Sequence, residues 1–375
     1  MVTASAMVDW DFAATTACSL MTAGPAATPG EVRAVVDSLR DAAVRAEQPI
    51  AETTRMEPIA PMAPVLVVDR HTWARANISA FDAALSPLVD LLTHRSDDHD
   101  EVANSATGSS EAASGRSAAV VGAVGSRATA FQVGTLLAYV GTKVLGQHEV
   151  FTQEGTEPRL MLVAPNVLLA ERSLGVDPDA FRLWVCLHEQ THRVQLASAP
   201  WLRDMLRDDL RAFFEAADLD TSSLRERLGE LVSSSGAAVR GESGRSLLEA
   251  VQTPEQREIL DRLVALMTLL EGHADWAMDE VGDEVVPGVA QVRAAFERRR
   301  SGVGRLDQLL RRLFGLDQKL AQYREGAAFV RGVISAVGVD GLNAVWSGPQ
   351  TLPLRSEIDE PLRWVERVHG QGVVA

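Results

Sequence analysis

Apolar residues recur at intervals of three and four along much of the chain, which is the spacing of an amphipathic α-helix. Near the start, this pattern covers "TPGEVRAVVDSLRDAAVRAE", which opens at Thr28 with Pro29 at the first helical position. It returns in "HTWARANISAFDAALSPLVDLL". We therefore predict that residues 9–93 are helical and that residues 1–93 form an N-terminal helical part.

The stretch 94–117, "HRSDDHDEVANSATGSSEAASGRS", contains almost no large apolar residues. Such a segment buries too little surface to offset the entropy lost on ordering, so we expect a flexible polar loop. His94 and His99 lie in it beside three aspartates, and we interpret both as solvated residues. Residues 118–375 regain apolar patterning and are expected to pack with residues 1–93 as one unit.

Two later segments begin with strong helix-start patterns. Asp177 precedes a proline at the first helical position, and apolar residues continue at helical spacing towards Pro200. Thr253 is likewise followed by a proline, and Gln256 completes a capping box. Each pattern predicts a long helix.

One short run does not fit a helix. "RLMLVAP", residues 159–165, is apolar and bounded by prolines, which is typical of a strand. A strand just before the helix that starts at Asp177 could pair with another extended segment at its edge. The expected fold class is mainly α with a minor β element.

Composition and charge narrow the classes of partner. A formal net charge of -15 and a pI near 5.0 argue against nucleic acid or an anionic membrane as the main partner. The most membrane-like stretch, residues 118–145, is interrupted by Arg127 and Lys143, and small buried helices are expected there. Cys18 and Cys186 are too few for a disulfide framework, and no secretory signal is evident, so we expect a cytoplasmic protein.

The segment "VCLHEQTHRVQ" carries the most specific chemistry. His188 and His192 are four residues apart, so a helix presents both imidazoles on one face to a single ion. Catalytic zinc needs three protein ligands and one open position for water. Glu189 would then be the general base that takes the proton of that water.

The third ligand decides the class of metal site. The metzincin pattern needs a glycine and a further histidine where this chain has Gln195 and Ser198, so that class is excluded. A gluzincin takes a glutamate from a downstream helix, commonly with an aspartate four residues later, and "LLEGHADWAMDE" offers Glu271 and Asp275. Asp275 could accept the distal N–H of a ligand imidazole, the alternative being a solvent-exposed acid.

Three further residues remain open to interpretation. His273 is the rival third ligand, but it is about 200° of helical rotation from Glu271, so both cannot face one ion. We prefer Glu271 and interpret His273 as a cleft-wall or solvated residue. Tyr323 is the candidate stabiliser of a tetrahedral intermediate, with Arg324 a weaker one, and the alternative for Tyr323 is a buried, hydrogen-bonded tyrosine.

Several motifs together resemble a known family. They are "VDWDFA", "KVLGQHEVF", "CLHEQTHRVQLASAPWLR", "LLEGHADWAMD", "QYREGAAFVRGV" and "LNAVWSGPQTLPLRSEIDEPLRW". The chain resembles the zincin-like metalloproteases found mostly in actinobacteria, one branch of which is associated with deazaflavin-coenzyme biosynthesis genes. The resemblance implies a mostly helical zincin-like fold with two metal-site helices. It also implies Zn²⁺ held by His188, His192 and Glu271, with Glu189 as the catalytic acidic residue.

The leading hypothesis is a cytoplasmic zinc metallohydrolase, a gluzincin-like peptidase that cleaves an amide bond in a peptide or a small amide. A second hypothesis is a non-catalytic binding or scaffold protein stabilised by zinc, which a closed fourth coordination position would favour. A third is a hydrolase of a non-peptide amide or ester metabolite. A groove beside an exposed strand would favour peptides, and a small closed cavity would favour a metabolite.

Overall fold

The computed structural model describes residues 8–85, 114–153, 156–216, 253–301 and 316–370, and for residues 114–125, 297–301 and 316–324 it describes the backbone alone. Most of the described chain is helical. The helices are α1 (Trp10–Leu20), α2 (Pro29–Arg45), α3 (Glu47–Thr54), α4 (70–85), α5 (Ser114–Val140), α6 (Ala164–Leu174), α7 (Pro178–Ser198), α8 (Trp201–Glu215), α9 (Pro254–Val285), α10 (Val289–Ser301), α11 (Leu316–Leu342), α12 (Arg355–Ile358) and α13 (Pro361–His369). The strands are β1 (Val65–Val68), β2 (Gly146–His148) and β3 (Leu160–Val163).

The predicted helix starts are confirmed. Thr28 and Thr253 each accept a hydrogen bond from the backbone three residues later and are closed by complete capping boxes. Asp177 accepts a hydrogen bond from the Ala180 backbone N–H at 2.8 Å and begins α7. These caps satisfy N–H groups that a helix start leaves without a partner.

The three strands form one small sheet in the order β1-β3-β2. β3 pairs in parallel with β1 and antiparallel with β2, with Leu162 opposite both Val67 and Gly146. The predicted strand within residues 159–165 is therefore confirmed, but it is the central, fully buried strand. Since β3 has partners on both sides, the strands available for edge pairing are β1 and β2.

Three predictions about the N-terminal half need correction. Residues 9–93 are not helical throughout, because β1 lies within them; prolines before its valine-rich run favour an extended conformation over a helix. The predicted polar loop ends too late, because α5 already begins at Ser114, where the following alanines favour a helix. α5 is also one long helix rather than several small ones. Residues 94–113, including His94 and His99, lie outside the described residues.

The main hydrophobic core surrounds α7. Phe181, Leu183 and Leu187 are fully buried there, and α7 contacts α2, α3, α6, α9, α10 and β2. A second core cluster joins α1, α4 and α5 and includes Trp73. Residues 1–93 thus contribute to both clusters. The division of the chain into parts stays a prediction.

One helical segment among the described residues, Glu325–Trp346, is long and apolar enough to cross a membrane by composition. Phe329, Val330 and Val333 of this segment are fully buried in the main core. A buried core helix satisfies the same length and hydropathy criteria as a membrane-spanning helix. This segment alone is therefore weak evidence for a membrane span.

Candidate metal centre

Helix α7 brings two imidazoles to one point. Because His188 and His192 are separated by one helical turn, their rings lie on the same face, with centroids 4.7 Å apart. The His188 Nε2 and His192 Nε2 atoms are 3.2 Å apart. The predicted pairing of these two side chains on one face is therefore present in the structure.

Helix α9 supplies a carboxylate at the same point. The Glu271 Oε2 atom lies 3.5 Å from His188 Nε2 and 3.8 Å from His192 Nε2. All three side chains are partly buried, and their ligand atoms lie within 4.8 Å of one another. Of the residues whose side chains are described, no fourth acid, imidazole or thiol joins this cluster.

The donor set and its spacing fit a zinc ion. Zinc–nitrogen and zinc–oxygen distances of about 2.0–2.2 Å in a tetrahedron place ligand atoms about 3.3–3.5 Å apart. The observed separations of 3.2, 3.5 and 3.8 Å lie within about 0.3 Å of this spacing, a difference that small side-chain rotations can absorb. Three protein ligands leave one position for water, as in catalytic rather than structural zinc sites.

Glu189 lies beside the cluster and is 7% exposed. It packs against Gly146 of β2, where a Cβ atom would lie 2.6 Å from Glu189 Cγ. Burial raises the pKa of the Glu189 carboxyl to about 7, with His192 opposing the rise and Glu271 adding to it. The carboxyl therefore exchanges a proton near neutral pH, as a general base must.

Gln195 contacts the His192 ring on its Nδ1 side, away from the ligand atom Nε2. The His192 Nδ1 atom is 2.9 Å from Gln195 Oε1, and Gln195 Nε2–H donates to the Leu270 carbonyl at 3.0 Å. Burial would lower the pKa of His192, but the carboxylates of Glu271 and Glu189 and the hydrogen bond to Gln195 together outweigh burial and raise the pKa to about 9. In the absence of a metal, the His192 ring is therefore protonated on both nitrogens and positively charged at neutral pH.

Asp275 forms an ion pair with Arg293 of α10, whose Nη2 atom is 3.1 Å from Asp275 Oδ1. It is therefore ion-paired to a neighbouring helix, with a side chain that is 35% exposed. Its predicted hydrogen bond to a ligand imidazole stays a prediction.

The interpretation of His273 as a cleft-wall or solvated residue is wrong. Its side chain is fully buried, with Nδ1 3.0 Å from Gln195 Nε2 and its ring stacked on Trp276. Burial, reinforced by the charge of His192, lowers the pKa of His273 to about 3, so the ring is neutral. The sequence pattern missed this because the ring also packs against Trp346, with centroids 5.5 Å apart, and helical periodicity does not assign a partner so distant in the chain.

Tyr323 and Arg324 belong to helix α11, for which the structure describes only the backbone at these two positions. The proposed role of Tyr323 in stabilising a tetrahedral intermediate therefore stays a prediction, and so does the weaker candidacy of Arg324.

A cavity of about 490 Å³ surrounds the cluster. All three residues of β2 line one side, and apolar side chains such as Trp184, Met267 and Phe296 line another. A larger cavity of about 630 Å³ lies between α1 and α4 and contains none of the predicted site residues. The chemistry therefore points to the smaller cavity.

His148 is a cavity residue that motif reasoning missed. It lies on β2, and its Nδ1–H donates to the Glu149 carbonyl at 3.1 Å. Burial and the charge of Arg203 together lower the pKa of His148 to about 4. Nothing in its spacing relative to other polar residues marks it, although "KVLGQHEVF" is one of the segments on which the family resemblance rests.

Two imidazoles and one carboxylate on two packed helices, with a buried glutamate beside the first imidazole, define a zincin-type metal centre. Comparison with protein families agrees: the model of the zincin-like metallopeptidase family matches residues 8–365. The chain belongs to this family. Membership of this family assigns the protein to the hydrolases and agrees with its mostly helical, zincin-like fold.

A solved structure is similar over almost the full length. It is the crystal structure of a "putative hydrolase with a novel fold" from Chloroflexus aurantiacus, 28% identical, with a TM-score of 0.66. The similarity covers 97% of this chain and 100% of that chain. Comparison with curated proteins gave no match.

Proposed function

We propose that this protein is a zinc-dependent peptidase of the gluzincin type, in which His188, His192 and Glu271 hold the metal. The observation that supports it is the convergence of these three side chains beside the buried Glu189. A zinc ion bound there would supply Lewis acidity, which lowers the pKa of a water molecule to about 7 and polarises a carbonyl group.

Glu189 is the proposed general base. It would take the proton of the attacking water and return it to the leaving nitrogen of the amide. Its raised pKa suits both steps, because a carboxyl that exchanges a proton near pH 7 can accept and release one. Its burial between α7 and β2 limits the positions that the carboxylate can adopt.

The position of β2 supports a peptide as the substrate. Among the described strands, β2 pairs only with β3, and its three residues line the cavity beside the cluster. An extended peptide can pair with such an edge through main-chain hydrogen bonds. His148 would then contact the substrate, with its Nε2 lone pair available as a hydrogen-bond acceptor, since the proton lies on Nδ1.

A non-peptide amide or ester is the second candidate substrate. The cavity of about 490 Å³ lies within the range of about 300–1,000 Å³ that is usual for small-molecule sites. This candidate would agree with a place in the branch associated with deazaflavin-coenzyme genes, which remains a prediction from the sequence resemblance. Cytoplasmic location and the absence of nucleic-acid and membrane partners are proposed on charge and composition alone.

The first experiment is zinc per chain in protein purified without added metal, for the wild type and Glu271→Ala. We expect about one zinc in the wild type and its loss in the variant, because two imidazoles alone bind zinc weakly. A folded wild type that binds no zinc even when zinc is supplied would refute the proposal.

Glu189→Gln is the matched catalytic variant. It should retain zinc and lose cleavage of a peptide library, because Gln keeps the shape of the side chain and removes its basicity. Cleavage of small amides or esters without cleavage of any peptide would favour the second candidate. Hydrolysis that is insensitive to Glu189→Gln would exclude Glu189 as the base.

A further inference from the structure

The buried amide of Gln195 joins the two metal-site helices. Gln195 Oε1 lies 2.9 Å from His192 Nδ1 on α7, whereas Gln195 Nε2 lies 3.0 Å from the Leu270 carbonyl oxygen and 3.0 Å from His273 Nδ1 on α9. Gln195 and His273 are both fully buried. Every polar atom of the Gln195 side chain is therefore engaged away from water.

These contacts determine the proton positions. A carbonyl oxygen only accepts hydrogen bonds, so the atom of Gln195 that faces Leu270 must be the amide nitrogen. The amide oxygen then faces His192, whose Nδ1 must carry the proton and donate it. With that proton on Nδ1, the neutral His192 ring presents the Nε2 lone pair towards Glu271 and His188, where the ion would bind.

His273 holds the amide in this orientation. Its Nδ1 atom faces the second N–H of Gln195 and must accept it, so the neutral ring carries its proton on Nε2. The ring is itself fixed by Trp276, with centroids 5.4 Å apart, and by Trp346, at 5.5 Å. A flipped amide would place its oxygen against the Leu270 carbonyl, which can only accept, and would meet a donor at His273 Nδ1 only if that ring moved its proton from Nε2 to Nδ1, so the flip is disfavoured.

We propose that the Gln195–His273 pair positions His192 for metal binding, with Gln195 setting the tautomer of His192 and His273 setting the orientation of Gln195. Neither residue touches the ion, so both are positioning residues. The inference rests on the proposed zinc site. Outer partners of this kind typically change metal affinity by about 10–100-fold when they are removed.

Two substitutions of His273 separate positioning from packing. His273→Asn offers an amide oxygen close to the position of Nδ1 but loses the ring between the tryptophans. His273→Phe keeps a ring for Trp276 and Trp346 but removes the acceptor. If His273 acts through its acceptor nitrogen, Asn retains more zinc affinity than Phe; if it only fills space, Phe retains more than Asn.

Gln195→Leu removes the contact with His192 directly, and Gln190→Leu is its matched control. Gln190 is also a buried glutamine on α7, but its side-chain oxygen accepts a hydrogen bond from Arg193, whereas the hydrogen bonds of the His192 ring go to Gln195 and His188. Zinc affinity is measured by competition with a chelator, and folding of each variant by circular dichroism and thermal unfolding. We expect about a 10–100-fold loss of zinc affinity for Gln195→Leu and little change for Gln190→Leu.

The outcomes distinguish this inference from the function on which it rests. A folded wild type without zinc affinity overturns the proposed function. A wild type that binds zinc, together with an unchanged affinity in Gln195→Leu or a Phe variant that binds as tightly as Asn, overturns the positioning role and leaves the zinc site intact. If Gln195→Leu does not fold, the order of the two His273 variants still decides.

Discussion

Gly146→Ala is the sharpest test of the geometry around Glu189. Gly146 lies on β2 opposite Leu162, and its backbone is outside the left-handed region, so alanine costs little in conformation. Its Cβ atom, however, would lie 2.5 Å from Glu189 Oε1 and 2.6 Å from Glu189 Cγ. Non-bonded carbon atoms sit about 3.5–4.0 Å apart, so the Glu189 side chain must move by about 1 Å.

A movement of that size has a predictable kinetic effect. Displacing a catalytic group by about 1 Å can cost about 10²-fold in rate, which corresponds to about 2.7 kcal/mol at 1.36 kcal/mol per tenfold. We expect kcat to fall by about 10²-fold. The added methyl is placed against Glu189, so zinc content should not change.

The assay compares wild type, Gly146→Ala and Glu189→Gln on one substrate from the peptide library, with zinc measured in each. Gly134→Ala is the matched control, since its Cβ would lie 2.6 Å from the Ala13 carbonyl oxygen in the contact between α1 and α5. Overpacking there should cost about 1–3 kcal/mol of stability and leave kcat of the folded protein unchanged. Wild-type kcat in a zinc-loaded Gly146→Ala variant would refute the reasoning.

Two further predictions concern the protonation of His192 and the role of His148. Zinc must displace the proton of His192, whose pKa is raised to about 9. Zinc affinity should therefore rise by up to about tenfold per pH unit below pH 9. Chelator competition at several pH values measures this dependence, and a zinc affinity that does not change with pH would contradict the prediction. His148→Ala should raise KM about tenfold through loss of one hydrogen-bond acceptor, with zinc unchanged. Unchanged kinetics would place His148 outside the substrate site.

Interactions within one helical turn were predictable from the sequence. The caps at Thr28, Asp177 and Thr253 each join residues three apart, so the letters of the sequence already contain both partners. The same holds for His188 and His192, which one turn of helix brings together whatever the rest of the fold does. The prediction of Glu271 as the third ligand required only that a second helix carry a carboxylate.

Contacts between distant segments were not predictable in this way. Gln195 and His273 are 78 positions apart, and only the packing of α7 against α9 makes them partners. The polarity of histidine predicts that His273 lies at the cleft or in solvent. The structure instead packs its ring against Trp276 and Trp346, which sequence polarity does not indicate. β2 is three residues long and contains glycine, glutamine and histidine, so it shows no strand periodicity, yet it contributes both Gly146 and His148 to the site.

The crossing of α9 and α11 shows how a distant contact determines the position of a ligand. A Cβ atom on Gly272 would lie 2.5 Å from the Ala327 backbone nitrogen, and one on Gly326 would lie 3.0 Å from Gly272 Cα. The two backbones can approach this closely only because both residues lack side chains. Gly272 stands between Glu271 and His273, so the close crossing of α9 and α11 fixes the segment of α9 that carries both residues. The glycine in "LLEGHAD" thus places the carboxylate ligand and the Gln195–His273 pair together, through a partner helix that the motif itself does not contain.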